Sequence, residues 1–324
     1  MSALVVVSAR MASSRAPGKA LAPLAGRPLL EVLLARMAAA QGTDGVVLAT
    51  STNPENDALQ ALADRLGLPV FRGDEDDVLG RHVQCARRFR AEHVVRVTGD
   101  NPLTDLETLE KLVALHRYSG ADYTYVPGDA LLMGILPEVI STRALEWSWS
   151  RGEARHRSEL VTLYIKENPS AFRIATGELP EGLYHPEYRL TVDEPEDVRL
   201  MQEIFARLDR PGHVVTTREA IALLDREPAL AAINAHLRHK SANLRSVALD
   251  DTIAATDAPQ SSQGTQRTGR TRWPRPRRLR RKSRSRSSEC ACGTAAGCAA
   301  ARAPTCGSLR SAVSASGSWR SREM

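Results

Sequence analysis

Apolar and polar positions follow two rhythms along the first half of the chain. Short runs, 3-ALVVV-7, 45-GVVLAT-50, 69-PVF-71 and 93-HVVRV-97, are apolar at nearly every position. Between them apolar residues recur at helical spacing, as at Leu29, Leu30, Leu33, Leu34 and Met37 within 28–40. The same spacing predicts helices over 55–67, 76–89 and 106–118, with Pro28 suited to a first helical position and Gly67 to a helix stop. Strands without polar alternation are buried on both faces. The pattern therefore predicts an α/β fold, a Rossmann-like and mostly parallel sheet with helices on both faces.

The second half continues less regularly. Strands are expected at 122-DYTYV-126 and 133-MGILPEVIS-141 around the loop 127–132, and again at 172-FRIAT-176 and 188-YRLTV-192. Helices are expected near 142–150, 155–167, 196–207, 217–226 and 228–239. The patterned body ends near residue 245, and 246–324 form a basic low-complexity tail without hydrophobic period.

Charge sharpens that division. The whole chain carries +6. Residues 264–324 hold fifteen Arg and Lys against two Glu, so the preceding 263 residues carry a net −7. The tail reads as an arginine-rich arm for nucleic acid, as a disordered segment without function, or as an out-of-frame reading of GC-rich DNA. Four of the five cysteines lie in it, with spacings unlike those of zinc knuckles, and Cys85 alone belongs to the body. A single body cysteine fits a reducing, cytoplasmic compartment. No signal peptide or membrane span is expected, since no apolar run approaches the ~18 residues a span requires.

Ligands of open parallel sheets bind beyond the carboxyl ends of the strands. The residues after each strand are therefore the candidates. Arg10, Arg15 and Lys19 follow the first strand; Thr50, Ser51 and Thr52 the second; 72-RGDEDDVLGR-81 the third; 98-TGDNPLTD-105 the fourth; and 193-DEPED-197 the late strand. Two guanidinium forks and an ammonium can offset the roughly four negative charges of a nucleoside triphosphate. Asp100 and Asp193 each end a strand, where an Asp commonly caps a helix. On one rim with three cations, they also fit Mg²⁺ held by carboxylates and substrate phosphates. Asp74-Glu75-Asp76 reads D-x-D, a metal-diphosphate motif of many glycosyltransferases, and keeps that class open as an alternative. Nucleic-acid binding through 267–286 is a further one.

Four ordered stretches, 9-ARMASSRAPGKALAPLAGRPLL-30, 72-RGDEDDVLGR-81, 96-RVTGDNPLTD-105 and 190-LTVDEPEDVRL-200, resemble the spore-coat polysaccharide cytidylyltransferases. These belong with the acylneuraminate and KDO cytidylyltransferases. The resemblance covers about 1–240. It implies a nucleotidyltransferase domain over 1–245 that joins CTP to a sugar or sugar acid and releases pyrophosphate. By matching position, Ala9, Arg10, Ser13, Arg15 and Lys19 would hold the triphosphate, and Asp100 and Asp193 would hold Mg²⁺. Arg10, Lys19 and Asp100 would carry the catalysis. Arg72, Asp77 and Arg81 would fall on the cytidine or sugar side. The chain departs from the family pattern at Ser8, Ala12, Ala16, Leu160, Leu163 and Leu136-Pro137. The resemblance also implies a homodimer through 122–141, with no membrane partner.

Overall fold

The computed structural model describes residues 2–13, 15–128 and 132–237. The expectations for the tail, and for the last residues of the 228–239 helix, lie outside these. In chain order, β1 (Ala3–Ser8) leads through a loop to a small hairpin, β2 (Pro23–Leu24) and β3 (Arg27–Pro28), then to α1 (Leu29–Ala38). Next come β4 (Val46–Ser51), α2 (Asp57–Arg65), β5 (Val70–Gly73), α3 (Val78–Phe89), β6 (His93–Thr98) and α4 (Leu106–Ser119). The later elements are β7 (Tyr123–Tyr125), β8 (Glu138–Ser141), α5 (Thr142–Arg151), α6 (Leu163–Glu167), β9 (Ile174–Thr176), α7 (Pro195–Leu208), α8 (Thr217–Arg226) and α9 (Pro228–Ala231).

Seven strands form one sheet in the order β5-β4-β1-β6-β8-β7-β9. β1 pairs in parallel with β4 and β6, and β4 in parallel with β5. Only β8 runs against its neighbours β6 and β7, while β7 pairs in parallel with β9. The mostly parallel sheet expected from the continuous apolar runs is therefore present. β1 is buried on both faces: Val5 and Val7 pack with Leu30, Leu33, Leu34 and Met37 of α1 and with α2 and α4. Leu4 and Val6 pack with α3 and α5 on the opposite face. Each fully buried Leu or Val contributes about 1.5–3 kcal/mol of transfer free energy. A third apolar cluster joins α7 and α8 to Leu29, Leu103, Leu190 and Val192. Among the described residues no helix is long and apolar enough to cross a membrane.

Four expectations need correction. The helix expected over 228–239 is α-helical only at Pro228–Ala231, and a short 3-10 turn follows at Ala235–Leu237. Residues 188–192 do not form a strand; they make a single bridge, Arg189 to Met133, and their apolar pattern reflects burial of Leu190 and Val192 against α7. The expected strand 133–141 is a strand only at Glu138–Ser141. The helix expected over 155–167 is a turn at Ala154–Arg157 followed by the short α6. In the gap the Glu159 carbonyl accepts from Arg96 Nη2 at 2.9 Å, and Ser158 Oγ donates to the Arg155 carbonyl at 3.0 Å. These side chains take the place of helical hydrogen bonds.

Candidate active site

The strand order reverses at β1. The chain moves outward from β1 to β4 and β5, then returns to the other side of β1 as β6. Such a switch point leaves a crevice at the carboxyl ends of β1 and β6. The loop after β1 carries Ala9 to Gly18, and the turn after β6 carries Gly99 and Asp100. These two loops touch. The Gly99 N–H donates to the Ser8 carbonyl at 2.7 Å. A Cβ on Gly99 would stand 2.6 Å from the Ala9 Cβ and 2.8 Å from the Ser8 carbonyl oxygen. The glycine before Asp100 is thus a condition for the approach.

The third contributor arrives from far along the chain. The Val192 N–H donates to the Asp100 carbonyl at 2.9 Å, and the Leu190 N–H to the Met133 carbonyl at 2.8 Å. Gly134, with φ +95°, lets that segment lie close; a Cβ there would meet the Thr191 nitrogen at 2.3 Å. Asp193 is thereby brought beside Asp100.

Lys19 stands where the three segments meet. Its Nζ donates to Asp100 Oδ2 at 3.2 Å, to Asp193 Oδ1 at 3.0 Å and to the Val192 carbonyl at 2.6 Å. Arg15 joins from the same loop, its Nη2 3.3 Å from Asp193 Oδ1 and its Nη1 3.8 Å from Glu194 Oε1. Burial works to raise the Asp193 pKa, but Lys19, then Arg15 and Arg189, outweigh it and hold the carboxyl below its usual range. The oxygens around Lys19 Nζ are hard donors already surrounding one cation, and two of them are carboxylates. That donor set suits Mg²⁺, which takes one or two carboxylates and completes its shell with water and phosphate. Among the described residues no group of three or more His, Cys, Asp or Glu gathers as a full protein cage would require.

Behind Asp193 lies a buried set that the sequence did not single out. Arg189 donates from Nε to Asp197 Oδ1 at 2.9 Å, and from Nη2 to Asp197 Oδ2 and Asp193 Oδ2, both at 3.0 Å. Asp197 Oδ2 also accepts the backbone N–H groups of Asp193 and Glu194. Asp197 Oδ1 accepts from Asn234 Nδ2 at 2.8 Å. A charged pair at i and i+8 within R-L-T-V-D-E-P-E-D was the available signal. Its reading as strand then helix hid the contact.

The other expected residues lie apart from this cluster. Arg10 pairs with Glu75 at 3.3 Å and Glu159 at 3.6 Å, bridging the loop after β5 to the segment before α6. Ala9 is buried against the sheet, and Ser13 Oγ accepts from the Ala16 N–H at 3.4 Å within its own loop. Arg72 fastens the loop after β4 through the Ser51 and Asn53 carbonyls and Asp57. Asp77 caps α3 through the Gly80 N–H and accepts from Trp149 Nε1 at 2.7 Å. Arg81, buried beneath the same turn, donates to the Asp74 carbonyl at 2.6 Å. These contacts are with protein groups. The D-x-D reading meets the same outcome, because Asp74 Oδ1 accepts the N–H groups of Asp76 and Asp77, and Glu75 pairs with Arg10.

Neither His82 nor His185 is placed as a general base at the crevice. Burial pushes the His82 pKa down to about 3. Its Nδ1 lies 2.8 Å from the Val78 carbonyl, which can only accept, so Nδ1 carries the proton. Nε2 then accepts from the Ser8 hydroxyl at 3.2 Å. His185 pairs with Glu187 at 2.8 Å.

A doubly wound sheet with cations and paired carboxylates at its switch point suits a nucleotidyltransferase-type enzyme. Comparison with known proteins makes the class specific. The cytidylyltransferase family model matches residues 4–232. The chain is 36% identical over 234 residues to the spore coat polysaccharide biosynthesis protein SpsF of Bacillus subtilis, covering 70% of this chain and 96% of that protein. A 3-deoxy-manno-octulosonate cytidylyltransferase of Anaeromyxobacter is 35% identical over 111 residues, which is 34% of this chain and 45% of the relative. A cytidylyltransferase structure from Leptospira borgpetersenii shares the fold with a TM-score of 0.66 at 24% identity, covering 71% of this chain and 97% of that one. The chain belongs to the cytidylyltransferase family, as the four sequence stretches implied.

Proposed function

We propose that this enzyme transfers the cytidylyl group of CTP to a sugar or sugar acid and releases pyrophosphate, for the synthesis of a surface polysaccharide. The observation that carries the reading is the convergence of Lys19, Asp100 and Asp193 on one point at the switch crevice. The names of the SpsF and octulosonate relatives support the sugar substrate and the polysaccharide setting.

In this reading an acceptor oxygen attacks the α-phosphorus in line. The bond to the bridging oxygen of the β-phosphate breaks, and pyrophosphate departs with that electron pair. Lys19 and Arg15 would meet the triphosphate and offset the charge that develops on the leaving group. Arg10, half-exposed in the same loop and paired with Glu75 and Glu159, is the third candidate for phosphate contact. Asp100 and Asp193 would hold Mg²⁺, which when bound polarises the α-phosphate. Ser13 would contribute through the loop backbone, whereas the Ala9 N–H already donates to the Ala49 carbonyl at 3.2 Å. Arg72, Asp77 and Arg81 shape the loops on the nucleotide side by the contacts described above. A homodimer and a cytoplasmic location belong to the same reading. The former is checked by light scattering in solution, and the latter is supported by Cys85, the one cysteine among the described residues, which is buried and free.

The test is direct. Purified enzyme with CTP, Mg²⁺ and a panel of sugar acids should release pyrophosphate with one acceptor class. ATP, GTP and UTP should fail to replace CTP. Release of a nucleoside mono- or diphosphate from a nucleotide sugar, with none from CTP, would overturn the reading.

A further inference from the structure

We infer that Arg189 is a positioning residue, and that with Asp197 and Asn234 it forms a buried brace that aims one oxygen of Asp193 at the metal and triphosphate. The inference rests on the reading of Asp193 as a metal ligand.

The geometry is specific on three counts. Arg189 is 2% exposed, and Asp197 is wholly buried. A guanidinium and a carboxylate are costly to bury, and here their charges and hydrogen bonds offset one another. Second, the brace holds Asp193 twice. Asp197 takes its backbone N–H at 2.9 Å, and Arg189 takes its Oδ2 at 3.0 Å. Oδ1 is the atom left to meet Lys19 and Arg15. Third, the brace is anchored on separate elements. Asp197 sits in the first turn of α7, and Asn234 Nδ2 reaches both Asp197 Oδ1 and the Arg189 carbonyl. Without the Arg189 contact, Oδ2 would be free to rotate toward Lys19, and the oxygen presented to the crevice would no longer be fixed. Outer partners of this kind orient ligating carboxylates, and their loss costs about 10- to 100-fold in metal affinity.

The experiment uses the full chain and measures CTP binding by calorimetry, once in EDTA and once in saturating Mg²⁺. The wild type should bind CTP more tightly with Mg²⁺. In Arg189→Gln the affinity in EDTA should be unchanged, while the gain from Mg²⁺ falls by at least about tenfold. Asp193→Asn should abolish the same gain. A folded Arg189→Gln protein that keeps the whole Mg²⁺ gain, or weakens equally in both conditions, overturns the brace. If Arg189→Gln does not fold, Asn234→Ala decides, since it removes the hydrogen bonds to Asp197 and to the Arg189 carbonyl without touching Asp193. A reduced gain supports the brace, and an unchanged gain overturns it. If the wild type gains nothing from Mg²⁺, or Asp193→Asn keeps the gain, the metal reading fails and the brace with it. Loss in Asp193→Asn alone would sink only the brace.

Discussion

Lys19 Nζ stands 3.2 Å from Asp100 Oδ2, across 81 positions of the chain. One residue belongs to the loop after β1 and the other to the turn after β6, the two strands that flank the switch point. Their contact follows from topology, because each loop leaves the carboxyl end of a strand paired with the other. If Asp100 also holds the metal, its loss removes both a ligand and the partner that orients Lys19. Asp100→Ala should then lower turnover at least ~10²-fold, since a positioned metal is worth several kcal/mol in the transition state. Pyrophosphate release with CTP and the acceptor measures it, and near-wild-type release would remove Asp100 from the mechanism.

Arg15 differs from Lys19 in exposure and in partners. Its side chain is 46% accessible, and it meets Asp193 and Glu194 only at 3.3 and 3.8 Å. A half-exposed guanidinium contributes little to stability by such pairs. Its value lies in binding a polyanion. Arg15→Ala should leave the melting temperature nearly unchanged and weaken CTP affinity, with a smaller effect on turnover at saturating CTP. Unchanged CTP binding by calorimetry would place Arg15 outside the phosphate site.

Gly99→Ala probes the junction of the two loops. The added methyl would meet the Ala9 Cβ at 2.6 Å and the Ser8 carbonyl at 2.8 Å, and neither is the end of a flexible side chain. The loops must part. The expected cost is about 1–3 kcal/mol of stability, the usual range for overpacking, together with weakened CTP binding. Denaturant unfolding and calorimetry check the two effects. Loss of neither would mean that the approach of Ala9 to Gly99 is looser than described.

These cases show what was legible in the sequence. The continuous apolar runs announced buried parallel strands, and the rim rule then gathered Lys19, Arg15, Asp100 and Asp193 from three segments of the chain, although no strand directly precedes Asp193. The hairpin at Ala25-Gly26, with φ of 47° and 81°, was not announced because alanine seldom signals a left-handed turn. Residues 188–192 imitate a strand because Leu190 and Val192 are buried, and burial alone produces that pattern. Arg72, Asp77 and Arg81 followed a strand as binding residues do. Their side chains turn back to carbonyls and caps, which a one-dimensional pattern does not encode.

Acidity should act first on buried histidines. Burial, then His93, lowers the His116 pKa to about 4, and burial lowers that of His82 to about 3. His116 is hydrogen-bonded to Thr124 at 2.8 Å and His93 at 3.0 Å, so its neutral form is built into the fold. An unfolded histidine titrates near 6.5. Between that value and about 4 the unfolded chain therefore binds more protons than the native one. The stability these groups contribute is complete above about pH 6.5 and is lost as the pH falls toward their folded pKa values, at up to ~1.4 kcal/mol per pH unit for each proton. Thermal melts from pH 7.5 to 4.5 should show a falling midpoint, and His116→Gln should flatten part of the slope. A midpoint constant down to pH 4.5 would contradict the buried neutral assignment.

Among the described residues, every contact that shapes the site lies between Ser8 and Asn234, and the family match spans residues 4–232. The basic surplus of the sequence lies beyond residue 264. A chain ending after residue 245 should keep the α7–α8 cluster, which includes Leu224 and Leu230, and with it the support under Asp193. Its CTP affinity and pyrophosphate release should match the full chain, while any retention on nucleic acid should vanish, since polyanion binding scales with the cations engaged. The salt dependence of nucleic-acid retention, compared between the two chains, separates a tail effect from one of the body. Loss of CTP binding on truncation would instead make the tail part of the enzyme, and the domain boundary near 245 would be wrong.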